Sequence, residues 1–240
     1  MYVYGSLALG DFSPHGGIPS DIDLVTVTDA ELAEGVVLAL RDMHARFDAA
    51  GSRWATQVEC VYVPRGALRR FDPDQGCYPH IQRGETLDMD CIDCTWIPQL
   101  HVLREYGIVL AGPEPRTLIE PFSPEDLRRS MVRGIEGWPA QLCREPLPLG
   151  SWGLRGFTVL TMCRMLHTLE TGTVVPKRVA ARWAQGKLPG PMAVLIDWAL
   201  APTESGVDAA AGSVNATLNL IRYVREHGRQ WDTASRHSRK

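Results

Sequence analysis

The chain has 240 residues, room for two ordinary domains that each bury a core. Hydrophobic residues make up 45% and charged residues 22%, and no apolar run approaches bilayer-spanning length, so disordered, collagen-like and membrane classes are poor fits. With 25 basic and 28 acidic residues the formal charge is -3, a balance that removes the electrostatic footprint of a protein tracking nucleic acid.

Residues 1–4 are apolar and aromatic and break at Gly5-Ser6, as a buried strand entering a turn would. After a stretch rich in Gly, Pro and Ser (10–20), the β-branched run from Asp21 to Thr28 predicts a second strand. Asp29 can then cap a helix over 30–50, where Leu32, Val36, Val37, Leu40, Met43 and Phe47 recur at three and four and Gly51 ends the pattern. Residues 56–63 alternate and predict a third strand closed by Pro64. Residues 65–95 carry no reliable periodicity, so short strands and loops are expected there.

Residues 98–106 predict a short helix, followed by the small apolar piece 108–111 and by Gly112-Pro113-Glu114-Pro115, the expected domain boundary. Beyond it the pattern is helical. Ser123-Pro124-Glu125-Asp126 is a capping sequence with proline at the first helical position. Helices are expected over 158–170, 176–185, 191–200 and 207–226, with a frayed polar tail from Gly228.

Six cysteines are too few for a disulfide scaffold, and the N-terminus has no basic, apolar and cleavable leader, so the cytoplasm is the expected compartment. Cys91 and Cys94 form a C-x-x-C, and with Cys77 and His80 they offer a zinc set. A lone C-x-x-C without a matching pair is weak evidence, and reduced thiols packed as small hydrophobes are the simpler expectation.

The chemistry concentrates in Gly5-Ser6, Asp21-x-Asp23 and Glu59. Residues two apart on a strand share a face, so Asp21 and Asp23 present their carboxylates side by side. Two such anions repel unless a cation lies between them, and Mg2+ bound through carboxylates and phosphate oxygens is the ordinary solution. Gly5-Ser6 offers a close backbone approach and a hydroxyl for a phosphate. If the next strand is a neighbour, Glu59 joins the aspartates as a third ligand or as the base that takes a proton from an attacking hydroxyl. D-x-D alone also arises at loop-to-strand junctions for turn reasons, but the combination is far more specific.

Gly5-Ser6 followed by Ser20-Asp21-Ile22-Asp23-Leu24 resembles the signature of the DNA polymerase β-like nucleotidyltransferase superfamily. Within it, residues 101–113 (HVLREYGIVLAGP), 171–177 (TGTVVPK) and 180–184 (AARWA) resemble the aminoglycoside nucleotidyltransferases that adenylylate streptomycin and spectinomycin. The resemblance implies an α+β chain, with a mixed-sheet nucleotidyltransferase domain over 1–115 and an all-α helical bundle over 116–240 that closes the substrate cleft. It implies Mg2+, ATP as co-substrate and AMP transfer to a hydroxyl of a small molecule. Asp21 and Asp23 match its metal ligands, Glu59 its base, and Ser6, next to Gly5, its phosphate contact. Arg164 and Lys177 match two cations that reach the triphosphate; Arg164 falls in an apolar helix, where a charge needs an anionic partner.

Departures concern the acceptor. Trp138 stands where the family has a cleft tryptophan, but a later aspartate is replaced by Leu154 and a histidine by Phe157, while residues 139–150 are too divergent to align. Asp88, Asp90 and Asp93 near Trp96, or Glu136 and Glu145, offer compensating acidic and aromatic lining for a cationic sugar; the plain alternative is a solvated acidic loop. The loop from Ser6 to Asp21 is long and the family's leading helix is missing, so a partner element or a longer native chain is expected to cover that surface. A monomer acting on nucleotide and small molecule, without nucleic acid or membrane, is the expectation. A macromolecular acceptor, as in toxin-like relatives, and a nucleotide sensor without turnover are the alternatives.

Overall fold

The computed structural model describes residues 1–13, 20–52, 54–69, 71–72, 76–82, 85–200 and 212–237. The chain divides into two units, the first reaching Pro121 and the second starting at Phe122.

Unit 1 runs β1 (Tyr2–Val3), α1 (Gly5–Ala8), β2 (Ile22–Thr28), α2 (Glu34–Ala49), β3 (Val58–Pro64), α3 (Arg65–Arg69), β4 (Cys77–Ile81), β5 (Asp88–Cys91), α4 (Ile97–Tyr106) and β6 (Ile108–Val109). The strands form a sheet of order β5-β4-β3-β2-β1-β6. β2 and β3 are parallel and the other described pairs antiparallel, with α2 as the crossover that a parallel pair requires. Leu32, Val37 and Leu40 pack on the sheet face that carries Leu24, Cys60, Tyr62 and Ile81. Val36, Met43 and Phe47, expected in the same stripe, are exposed because they lie on a flank of α2 that turns away from that face. Asp29 lies ahead of α2, whose N-cap is Ala33 with no side-chain cap bond.

Residues 65–95 differ most from expectation. β4 and β5 form an antiparallel pair with Cys77 opposite Cys91, and a disulfide joins them. These two thiols are therefore not the reduced, packed cysteines anticipated; Cys60, Cys94 and Cys163 are buried outside any disulfide, and Cys143 is half-buried outside any disulfide. The unit boundary also falls beyond the Gly112–Pro115 cluster, because the residues that follow it stay tied to unit 1. Leu118 and Ile119 are buried there, and the Arg104 Nε donates to the Ile119 carbonyl at 3.0 Å.

Unit 2 is helical: α5 (Pro124–Ile135), α6 (Trp138–Arg144), α7 (Trp152–Thr171), α8 (Lys177–Gln185), α9 (Gly190–Leu200) and α10 (Val214–His237). Ser123 and Asp126 form the capping box ahead of α5, with Pro124 in the first turn. α7 is the central rod, burying Val159, Met162, Cys163 and Leu166 against Ala180, Ala184, Leu195, Ile221 and Val224. It ends at Gly172, which takes the left-handed conformation (φ 71°). α10 runs on to His237 rather than fraying at Gly228. Gly228 lies against Ile135 and Leu169, where a Cβ would make only ordinary contact, and the Arg229 Nε donates to Glu136 at 2.9 Å just beyond it. The helix start expected at Val207 lies outside the described residues. Among the described residues no helix is long and apolar enough to cross a membrane.

Candidate active site

Pairing register assembles the site. β2 and β3 align Asp23 with Glu59 and Val25 with Val61; Val61 in turn faces His80 on β4, and His80 faces Asp88 on β5. Directly opposed residues and residues two apart share a face, so Asp23, Glu59, His80 and Asp90 form one row across four strands. Asp21, two residues before Asp23 and just ahead of β2, has the same parity. The His80 Nε2 lies 3.5 Å from the Glu59 Oε1 and its Nδ1 lies 3.0 Å from the Asp90 Oδ2. Burial opposes the charged imidazole, yet the Glu59 and Asp90 carboxylates at its two nitrogens outweigh it and hold His80 above the usual histidine range.

The chain leaves β1 beside this row. The Tyr4 amide donates to the Asp23 carbonyl at 3.0 Å, and Tyr4 is buried. Burial first, then the Glu59 and Asp23 carboxylates, hold the Tyr4 phenol well above its ordinary value, so it stays protonated. Gly5 follows with φ 60°, and a Cβ there would fall within the Asp23 carboxylate, so glycine alone admits this approach. The Ser6 Oγ is buried and has no hydrogen-bond partner among the described residues. An unmet buried hydroxyl costs about 1–3 kcal/mol, which a ligand oxygen would relieve.

No three His, Cys, Asp or Glu side chains among the described residues form a group that could hold a metal ion unaided. The zinc set is thereby not assembled, since Cys77 and Cys91 are bonded to each other and Cys94 is buried. A closed cage of Asp21, Asp23 and Glu59 is not formed either. Mg2+ keeps waters and takes one or two carboxylates plus substrate phosphate, and Asp21 and Asp23, two carboxylates of the same parity with Gly5 against the second, fit that donor set.

The acceptor wall expected in unit 1 does not come together. Trp96 is buried against Phe71, with ring centroids 6.0 Å apart. Asp88 pairs with the Arg41 Nη2 at 3.2 Å, Asp90 is taken by His80, and Asp93 accepts from the Thr95 amide at 2.7 Å. In unit 2, Glu136 is bound by Arg225 at 2.7 Å and Arg229 at 2.9 Å, which ties α5 to α10. Arg164 is half-buried on α7, and Lys177 opens α8 with its Nζ 3.9 Å above the Phe157 ring. Trp138, at the start of α6, meets Phe157 at 6.2 Å, so Trp138, Phe157 and Lys177 form one aromatic and cationic patch within this unit. Sequence reasoning missed His80 as a partner of Glu59, because β4 lies in the segment without periodicity.

Residues 117–227 match the sequence model of the aminoglycoside adenylyltransferase C-terminal domain. The chain is 26% identical to the aminoglycoside (3'')(9) adenylyltransferase of Klebsiella pneumoniae, covering 94% of this chain and 85% of that protein. It is 25% identical to the spectinomycin 9-adenylyltransferase of Campylobacter jejuni over 79% of this chain and 71% of that one. Its fold is similar to that of spectinomycin adenyltransferase AAD(9) from Enterococcus faecialis, solved with ATP and spectinomycin, with a TM-score of 0.70 at 14% identity over 94% of this chain and 90% of that chain. The α+β architecture with a helical C-terminal half thus matches the fold of that adenyltransferase.

Proposed function

We propose that this aminoglycoside adenylyltransferase-like enzyme transfers AMP from ATP to a hydroxyl of a small molecule of the aminoglycoside class. One observation carries the reading: Asp23 and Glu59 stand opposite each other beside a glycine-serine turn whose hydroxyl has no partner among the described residues, in a chain similar to adenylyltransferases along most of its length.

Asp21 and Asp23 would hold Mg2+, which supplies positive charge to the phosphate oxygens and to the departing pyrophosphate. The Ser6 hydroxyl donates to a phosphate oxygen, and Gly5 lets that phosphate approach the backbone. Glu59 accepts the proton of the acceptor hydroxyl as its oxygen bonds to the α-phosphorus. The bond from that phosphorus to the bridging oxygen breaks in line, and pyrophosphate leaves with the electron pair. Arg164 and Lys177 are assigned to the triphosphate by resemblance, where they would balance charge developing on pyrophosphate.

The test is pyrophosphate release with Mg2+ and ATP across an aminoglycoside panel led by streptomycin and spectinomycin, with Asp23→Asn as control. Release with one acceptor, absent in the control, is expected. Silence across the panel despite ATP binding would overturn the acceptor class.

A further inference from the structure

We propose that His80, held by Asp90, is a positioning residue that orients the Glu59 carboxylate for proton transfer; this rests on the reading of Glu59 as base. The imidazole bridges two carboxylates, its Nε2 3.5 Å from the Glu59 Oε1 and its Nδ1 3.0 Å from the Asp90 Oδ2. A ring engaged at both nitrogens cannot rotate without losing a partner. Among the described residues Glu59 is contacted at Oε1, and its other oxygen faces the incoming hydroxyl proton.

In the supporting hairpin β4 buries Tyr78 and Ile81, whereas β5 contributes little to packing. All four side chains of β5 are exposed, so the strand gains little from burial. It is held instead by the Cys77–Cys91 disulfide, one residue past Asp90, and by Arg41, whose Nε donates to the Leu87 carbonyl at 2.9 Å and whose Nη2 pairs with Asp88 at 3.2 Å. These ties set the register that places Asp90 diagonally across from His80, as Glu59 is diagonal to His80 on the other side. His80 itself is largely covered, with a side chain 11% exposed, so its ring lies sandwiched in the row rather than in solvent. A displaced general base costs heavily even when the shift is about 1 Å.

The experiment combines kinetics with imidazole NMR. His80→Ala is expected to lower kcat about 10- to 100-fold with the KM for ATP unchanged. His80→Gln, whose amide reaches the Nε2 position, recovers part of the loss, and Asp90→Asn, at an exposed site that folding tolerates, gives a smaller one. In a Glu59→Gln background, His80→Ala adds nothing, because its effect passes through Glu59. Independently of turnover, the 15N imidazole signals of His80 shift at Nε2 in Glu59→Gln and at Nδ1 in Asp90→Asn. Unchanged kcat in a folded His80→Ala, full additivity with Glu59→Gln, or imidazole signals indifferent to both changes would overturn the assignment. Absence of pyrophosphate release in the wild type would instead remove the functional reading, with the imidazole signals still deciding whether His80 holds Glu59.

Discussion

Asp23 and Glu59 are register partners across the parallel pair β2 and β3, although helix α2 separates them in the chain. Their meeting depends on a single register. A slip of one residue would bring Cys60 to the site face and carry Glu59 to the face that α2 covers, where its charge would be buried among Leu24, Leu40 and Ile81. The apolar contacts of α2 thus enforce the alignment of the carboxylates on the opposite side.

Asp23→Asn removes a charge at nearly constant volume, so transfer should be lost while thermal unfolding stays close to that of the wild type. Glu59→Gln should keep ATP binding and lose turnover by about 10²- to 10⁴-fold, the usual worth of a general base. ATP binding by calorimetry beside pyrophosphate release checks both. Full activity in either variant would remove its assigned role.

Gly5 and Gly10 both have positive φ, 60° and 69°, but only Gly5 has a neighbour in the way. Gly10→Ala should cost about 1–2 kcal/mol from backbone strain alone. Gly5→Ala adds a clash with the Asp23 carboxylate worth about 1–3 kcal/mol more, and it should lose transfer as well. Urea unfolding of the two variants side by side separates strain from steric displacement; equal losses would mean that the close approach of Gly5 to Asp23 is relieved without consequence.

The Cys77–Cys91 disulfide closes a loop with a sequence separation of 14. In the chain-entropy account a loop of this size is worth about 3 kcal/mol, so reductant should lower the unfolding midpoint. Thiol titration of the denatured, unreduced protein should find Cys60, Cys94, Cys143 and Cys163 reactive and Cys77 and Cys91 silent. Reaction at all six would remove the cross-strand tie.

Stability should fall on mild acidification. Burial holds His44, His101 and His167 below the usual value of 6.5, so the unfolded chain binds protons that the native state refuses as the pH drops below that value. Their contribution is present above pH 6.5 and declines below it. His80, raised, has the opposite sign: its contribution is complete below 6.5 and is lost as the pH rises through its folded value. Three groups oppose one, so the urea midpoint should be lower at about pH 5.5 than at about pH 7.5. A midpoint that rises on acidification would contradict this balance.

Lys177→Met should raise the KM for ATP more than it lowers kcat, if the cation meets the triphosphate in the ground state. An unchanged KM would remove Lys177 from the triphosphate assignment and leave its contact with the Phe157 ring.

Much of the molecule was legible from local signals. The β-branched run of β2, the Ser123 capping box, the period of α7 and the glycine-serine turn each follow from interactions within a few residues, which any reader of the chain can evaluate. Gly5, Ser6, Asp21, Asp23 and Glu59 were recognisable as types and spacing, so the components of the candidate site could be named as expectations. Their assembly was not. The opposition of Asp23 and Glu59, the His80 bridge to Asp90, the Cys77–Cys91 bond and the burial of Trp96 all depend on which strand pairs with which and in what register. Those pairings connect residues distant along the chain, and their energies come from apolar burial shared by many side chains at once, so no short window contains them. The exposed flank of α2 shows the same limit, since periodicity shows that Val36, Met43 and Phe47 are apolar on a helix but only packing decides which part of the stripe meets the sheet.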